Sequence, residues 1–131
     1  MTNTIVLLPD TGSPELIELE GLQDRDAQLC GLMECQPVDV ISLTDRPGGL
    51  DMWVCEGRGA WSPNLIASAV AARYGSIGSV FGPVVFASTV RDEGAGELPM
   101  CGLSQGQLDE LVATIEMFRH TYGYYPWKVD R

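Results

Sequence analysis

Between Phe81 and Ser88 the chain reads FGPVVFAS, an almost uninterrupted apolar stretch without a single charged residue. Eight residues are far too few to span a membrane but are typical of a strand, and a strand with so little polar character looks central in its sheet. The remaining sequence must then supply neighbours for it. Thr4–Leu8 (TIVLL) is a β-branched run followed by the turn-rich PDTGSP, and in Glu15–Glu20 the apolar Leu16, Ile17 and Leu19 alternate partly with Glu15, Glu18 and Glu20, which predicts an amino-terminal hairpin. Met33–Leu43 carries apolar residues at 33, 35, 38, 40 and 43, with Pro37 implying an edge or a bulge. Leu50–Cys55 alternates Leu50, Met52 and Val54 on one face against Asp51, Trp53 and Cys55 on the other. A turn over Thr44–Gly49 joins these two stretches into a second hairpin, and Leu98–Leu103 reads as one further short strand.

Helical signals are spaced between these runs. Gln23–Cys30 reads as a short helix that turns Leu22, Leu29 and Cys30 inward, with Gly31 in the C′ position. Ser62-Pro63 reads as a cap and first helical residue, opening a helix that carries Leu65, Ile66, Ala69 and Val70 on one stripe and is closed by Gly75 after Tyr74. Ser104 and Gln107 form an S-x-x-Q capping box before Leu108, Leu111, Val112, Ile115, Phe118 and Tyr122, which recur at helical spacing. Strands and helices do not alternate as βαβα units. The expected fold is therefore α+β: a single domain with a mostly antiparallel sheet of about five to six strands, covered on one side by two or three helices. The 131 residues suit one hydrophobic core, with the domain over residues 1–118 and an aromatic-rich tail over 119–131.

Charge narrows the function classes. Eighteen acids against eight bases give a formal charge of −10, and residues 1–56 alone hold eleven acids and two bases. Nucleic acid and anionic membrane both require a basic footprint, so neither is an expected partner; a basic protein surface is. No apolar run approaches membrane length and MTNTIVLLPD lacks a basic leader region, so the expectation is a soluble cytoplasmic protein. Cys30, Cys35, Cys55 and Cys101 are then expected as reduced thiols, and their spacing gives no paired metal-ligand motif, so neither a metal nor another cofactor is expected.

Three motifs suggest chemistry, and each has a simpler explanation. Asp10-Thr-Gly-Ser13 has the residues of an aspartic-protease loop, but Pro9 and Pro14 bracket it and a hairpin turn needs the same Asp and Gly. The glycines of Gly75–Gly82 could cradle an anion through backbone N–H groups, yet a helix precedes the loop and a strand follows it, the reverse of a phosphate loop, and no adjacent Lys accompanies them. His120, the sole histidine, falls in the last turn of the final helix, where the dipole alone favours it. No catalytic residue is expected. The aromatics are the better candidates for contact: Trp53 on the strand face opposite Met52 and Val54, and Tyr124, Tyr125 and Trp127 in the tail, either packed on the sheet or buried on a partner. Homodimerisation through the tail is one expected use of them. The alternative is a ligand pocket near Trp61, Asn64, Gly78 and Gly82, where glycine permits close backbone approach.

Taken in order, Ile17–Leu22 (IELEGL), Leu32-Met-Glu34, Gly49–Val54 (GLDMWV), Pro63-Asn64, Ala69, Gly82–Val85 (GPVV) and Leu103-Ser104 through Met117-Phe118 resemble the domain of unknown function 3846 family, over about Thr4 to Phe118. Those are small proteins of phages, plasmids and the bacteria that carry them. The resemblance implies an accessory protein of a mobile element in a host bacterial cell and brings no catalytic residues; Asn64 and Gly82-Pro83 look like its recurring marks. The expected function is accordingly a non-enzymatic, acidic interaction protein that binds and modulates a host protein, defence and nucleic-acid-handling factors included. A small-molecule- or nucleotide-binding domain is the alternative.

Overall fold

The computed structural model describes residues 4–10, 13–19, 25–34, 38–44, 49–56, 62–76, 78–89 and 100–121. In chain order the elements are β1 (Thr4–Leu8), β2 (Glu15–Glu18), α1 (Arg25–Met33), β3 (Val38–Ser42), β4 (Leu50–Cys55), α2 (Leu65–Arg73), β5 (Val84–Thr89), β6 (Met100–Cys101) and α3 (Gln105–Thr121). The strands form one six-stranded sheet in the order β2-β1-β5-β4-β3, with β6 also pairing with β5. Every pairing is antiparallel, so the chain is a single-domain α+β fold. β5 is central as its composition requires: Val84, Val85, Phe86 and Ala87 are all fully buried, between β1 on one side and β4 on the other.

Because paired residues share a face, the register sorts the side chains into two layers. One transverse row runs Ile41, Met52, Phe86, Val6, Leu16, and its face meets Ile66, Ala67, Val70 and Ala71 of α2 with Leu108, Leu111 and Ile115 of α3 in the larger core. The other row runs Val40, Trp53, Val85, Leu7, Glu15, and that face packs on Leu29 and Met33 of α1. Full burial of a side chain such as Phe86 contributes about 2–3 kcal/mol. Helices therefore cover both faces, correcting the expected one-sided cover: two on one side and the short α1 on the other.

Several local expectations also shift. α1 continues through Gly31 to Met33, so Gly31 lies inside the helix and Met33 belongs to it rather than to a strand. Leu29 and Met33 are one helical turn apart and both buried, and that contact with the sheet outweighs the two-residue alternation that continues into β3. The N-cap of α2 is Asn64 rather than Ser62; Pro63 instead forms an isolated bridge to Phe81. β5 begins at Val84, because Gly82 takes φ +77° and bends the backbone ahead of it. α2 ends as expected: Gly75, at φ +91°, and Ser76 donate to the carbonyls of Ala72 and Ala71. At α3 both arms of the capping box are present, Ser104 N–H to Gln107 Oε1 at 2.8 Å and Gln107 N–H to Ser104 Oγ at 3.1 Å. This helix runs to Thr121 and carries Arg119 and His120 in its last turn, as expected of His120. Cys55 is disulfide-bonded, with its partner outside the described residues, whereas Cys30 and Cys101 remain thiols. The expectation of four reduced cysteines fails at Cys55, because the spacing of cysteines along the chain does not show which of them the fold brings together.

Among the described residues no helix is long and apolar enough to cross a membrane.

Candidate functional site

Asn64 closes the junction between β1, α2 and the glycine loop. It is completely buried and holds extended backbone angles at the start of α2, where Oδ1 accepts the N–H of Ala67 at 3.1 Å. Its Nδ2 donates to the carbonyl of Leu8 at 3.0 Å and to that of Gly82 at 2.8 Å. The backbone is held as firmly: Asn64 N–H donates to Val80, Gly82 N–H to Ser62, and the Ser68 hydroxyl donates to the Asn64 carbonyl while accepting the Val80 N–H. Of the ligand-pocket candidates, Asn64 and Gly82 are thus brought together, but by bonding to each other. Asn64 directs both amide N–H groups and its carbonyl oxygen to the protein's own backbone. Gly78 sits on the exposed part of the same loop at φ +121°, and Trp61 lies outside the described residues. Among the described residues, a cavity beside this loop, lined by Ile41, Val54, Cys55, Ser79, Val80 and Phe81, is about 100 Å³, below the usual size of small-molecule sites.

Of the contact candidates, Trp53 is half-buried on the α1 face, packed against the smaller core, and its Nε1–H is buried with no acceptor among the described residues. Tyr124, Tyr125 and Trp127 lie outside the described residues. On the same face Asp51 is buried next to Ser42, its partner in the β3–β4 register. Burial raises the Asp51 carboxyl above its ordinary pKa, against the opposing hydrogen bond of Ser42.

A larger feature lies where the β1–β2 hairpin meets the end of α1. A cleft of about 360 Å³ is lined by Leu7, Leu32 and Met33, by Pro9 and Pro83, and by Asp10, Glu15 and Glu34. Leu7 and Met33 are buried, whereas Glu15 and Glu34 are exposed, which gives an apolar floor under an acidic rim. The helix terminus adds to the negative potential. α1 has no basic residue in its last turn, and Glu34 follows it immediately, placing a carboxylate where the dipole favours a cation. Glu34 is also the one described non-glycine residue with positive φ, +50°. Among the described residues no group of three or more His, Cys, Asp or Glu is placed to hold a metal ion, and the carboxylates here are distributed around a rim.

No family model, no curated protein and no solved structure matches this chain. The site must be read from its own chemistry. Sequence reasoning places Asp10 in a turn and counts Glu15 and Glu34 only as part of an acidic half. One local signal points further: an acid directly after a helix with no basic residue in its last turn runs against the usual pattern of helix ends.

Proposed function

We propose that this chain is a non-enzymatic, acidic interaction protein whose cleft between the β1–β2 hairpin and the end of α1 receives a Lys or Arg side chain of a basic partner protein. The observation that carries the reading is the lining of that cleft. An apolar floor suits the methylene stem of a long basic side chain, while Asp10, Glu15, Glu34 and the α1 carboxyl end suit its charged head. Distributed carboxylates favour an ammonium or guanidinium group over a chelated metal ion. The eleven acids of residues 1–56 would draw such a partner in from a distance. The resemblance to the domain of unknown function 3846 family leads us to propose a host protein as that partner, and a phage or other mobile element as the chain's origin.

The test is fluorescence anisotropy with a labelled decapeptide of alternating Lys and Gly. It is run at about 10 mM salt, where the Debye length is about 30 Å, and at about 150 mM, where it is about 8 Å. Binding should be salt-sensitive. Glu15→Gln combined with Glu34→Gln should weaken it about fivefold to tenfold, at roughly 0.5–0.7 kcal/mol per lost exposed charge pair. Asp109→Asn with Glu110→Gln, on α3 across the sheet, should leave it unchanged. Absence of binding at low salt overturns the reading, and equal weakening by the two pairs leaves non-specific charge in place of a site.

A further inference from the structure

The two outer strands of the sheet, β2 and β3, each present backbone groups that no further described strand covers, and the chain treats them differently. β2 has only four residues, and its exposed Leu16, at 60%, lies between the exposed carboxylates Glu15 and Glu18. β3 has five, three of them β-branched and apolar, and Val40 is 40% exposed at its centre. Such an edge is a template for pairing with another strand.

The ladder shows which of its groups point outward. Leu43 N–H donates to the carbonyl of Leu50 at 2.8 Å, so Leu43, which follows the Ser42–Asp51 pair, turns its N–H toward β4, while Leu50 N–H donates to Thr44 Oγ1. Hydrogen-bonded and non-bonded pairs alternate in an antiparallel ladder. Ile41 and Asp39 therefore turn their N–H groups toward β4, and Val40 turns its own away from the sheet. That outward N–H is already engaged: Asp39 Oδ1 accepts it at 2.8 Å, on the exposed side.

We infer that Asp39 guards the β3 edge, and that the partner it excludes is β3 of a second copy of this chain. Antiparallel pairing centred on Val40 would set Val40 opposite Val40 and let their outward N–H and C=O groups bond to each other, while burying two half-exposed valines together. The guard opposes this in two ways. The incoming carbonyl finds the Val40 N–H occupied, and the two Asp39 side chains become diagonal neighbours on one face, about 7–8 Å apart, with like charge.

The experiment is light scattering on the full chain from about 10 to 500 μM, with Asp39→Ala and with Asp39→Ala/Val40→Pro. Asp39→Ala should self-associate at a concentration at least about tenfold below that of the unaltered protein. Adding Val40→Pro should abolish the gain, because proline removes the outward donor without taking a hydrogen bond from β4. Equal mass for Asp39→Ala and the unaltered protein throughout overturns the inference, as does a double variant that associates as readily as Asp39→Ala. Amide exchange on the unaltered protein provides a reading that needs no variant. The Val40 amide should exchange at least about tenfold more slowly than the outward amide of Ser42, and equal rates also overturn the inference.

Discussion

Replacing Asn64 separates its two structural roles. In Asn64→Ala the cap of α2 is lost, which costs about 1 kcal/mol. The carbonyls of Leu8 and Gly82 also lose a donor in a site fully shielded from water, at about 1–2 kcal/mol each. The sum, about 3–5 kcal/mol, is a large part of the 5–15 kcal/mol typical of a domain's stability and should lower the melting temperature by roughly 10–20 °C. Asn64→Ser and Asn64→Asp retain an oxygen able to cap the helix, but neither reproduces the amide's pair of N–H donors, and ionised aspartate would set its charge against two carbonyl oxygens. Serine should therefore recover about 1 kcal/mol of the alanine loss, and aspartate should recover nothing. Urea unfolding followed by circular dichroism measures each difference through the midpoint at constant slope. If either variant lay within about 1 kcal/mol of the unaltered protein, the cap would account for the whole contribution and the clamp to Leu8 and Gly82 would count for nothing.

Asp51→Asn should stabilise the fold at pH 7. The folded pKa is raised, so the penalty on the ionised carboxyl is absent below the ordinary carboxylate value, grows as pH rises through the folded value and is constant above it; the advantage of the Asp51→Asn variant in urea unfolding should shrink correspondingly as the pH is lowered toward about 4. Ser104→Ala removes one arm of the α3 capping box and should cost about 1 kcal/mol, read as a fall of a few degrees in a thermal melt. Glu34→Gly relieves a side chain held at φ +50° and should add about 0.5–1 kcal/mol of stability while weakening the Lys-Gly peptide in the anisotropy assay. If Glu34→Gly bound the peptide as tightly as the unaltered protein, the cleft's charge would be separated from its proposed use.

Much of the fold is written in local patterns. The apolar runs of β1 and β5 announce strands, the alternation of Leu50–Cys55 matches β4 residue for residue, and the Ser104–Gln107 pair sets the start of α3 because both its partners are local. Local signals fail where a distant group decides the outcome. Ser62-Pro63 is a sound helix start by composition, yet Asn64 caps α2, since from that position one amide reaches Ala67, Leu8 and Gly82 at once, and two of these are remote in sequence. Met33 continues a two-residue alternation into β3 just as well as it continues the turn from Leu29, and only the sheet face beneath α1 selects the helix. The cleft is still less legible. Its lining comes from the end of β1, the start of β2, the end of α1 and Pro83 ahead of β5, four segments that only the topology brings together.

The two faces of the sheet divide the work between them. On the α2 and α3 side, Asn64 and Ser68 have their partners within the protein and hold the glycine loop against the helix start, although Arg119 Nε of α3 is buried without a hydrogen-bond partner among the described residues. The α1 side is built with less internal compensation: a buried carboxyl at Asp51, an indole N–H at Trp53 without an acceptor among the described residues, a left-handed glutamate at Glu34 and a helix end with no cation in its last turn. Each lowers stability, and buried or strained polar groups of this kind collect where a surface serves something besides folding. That contrast is why the proposed contact belongs on the α1 face. It also explains why Glu34→Gly is a sharper probe than a core substitution: it is expected to move stability and binding in opposite directions, whereas damage to the fold moves both the same way.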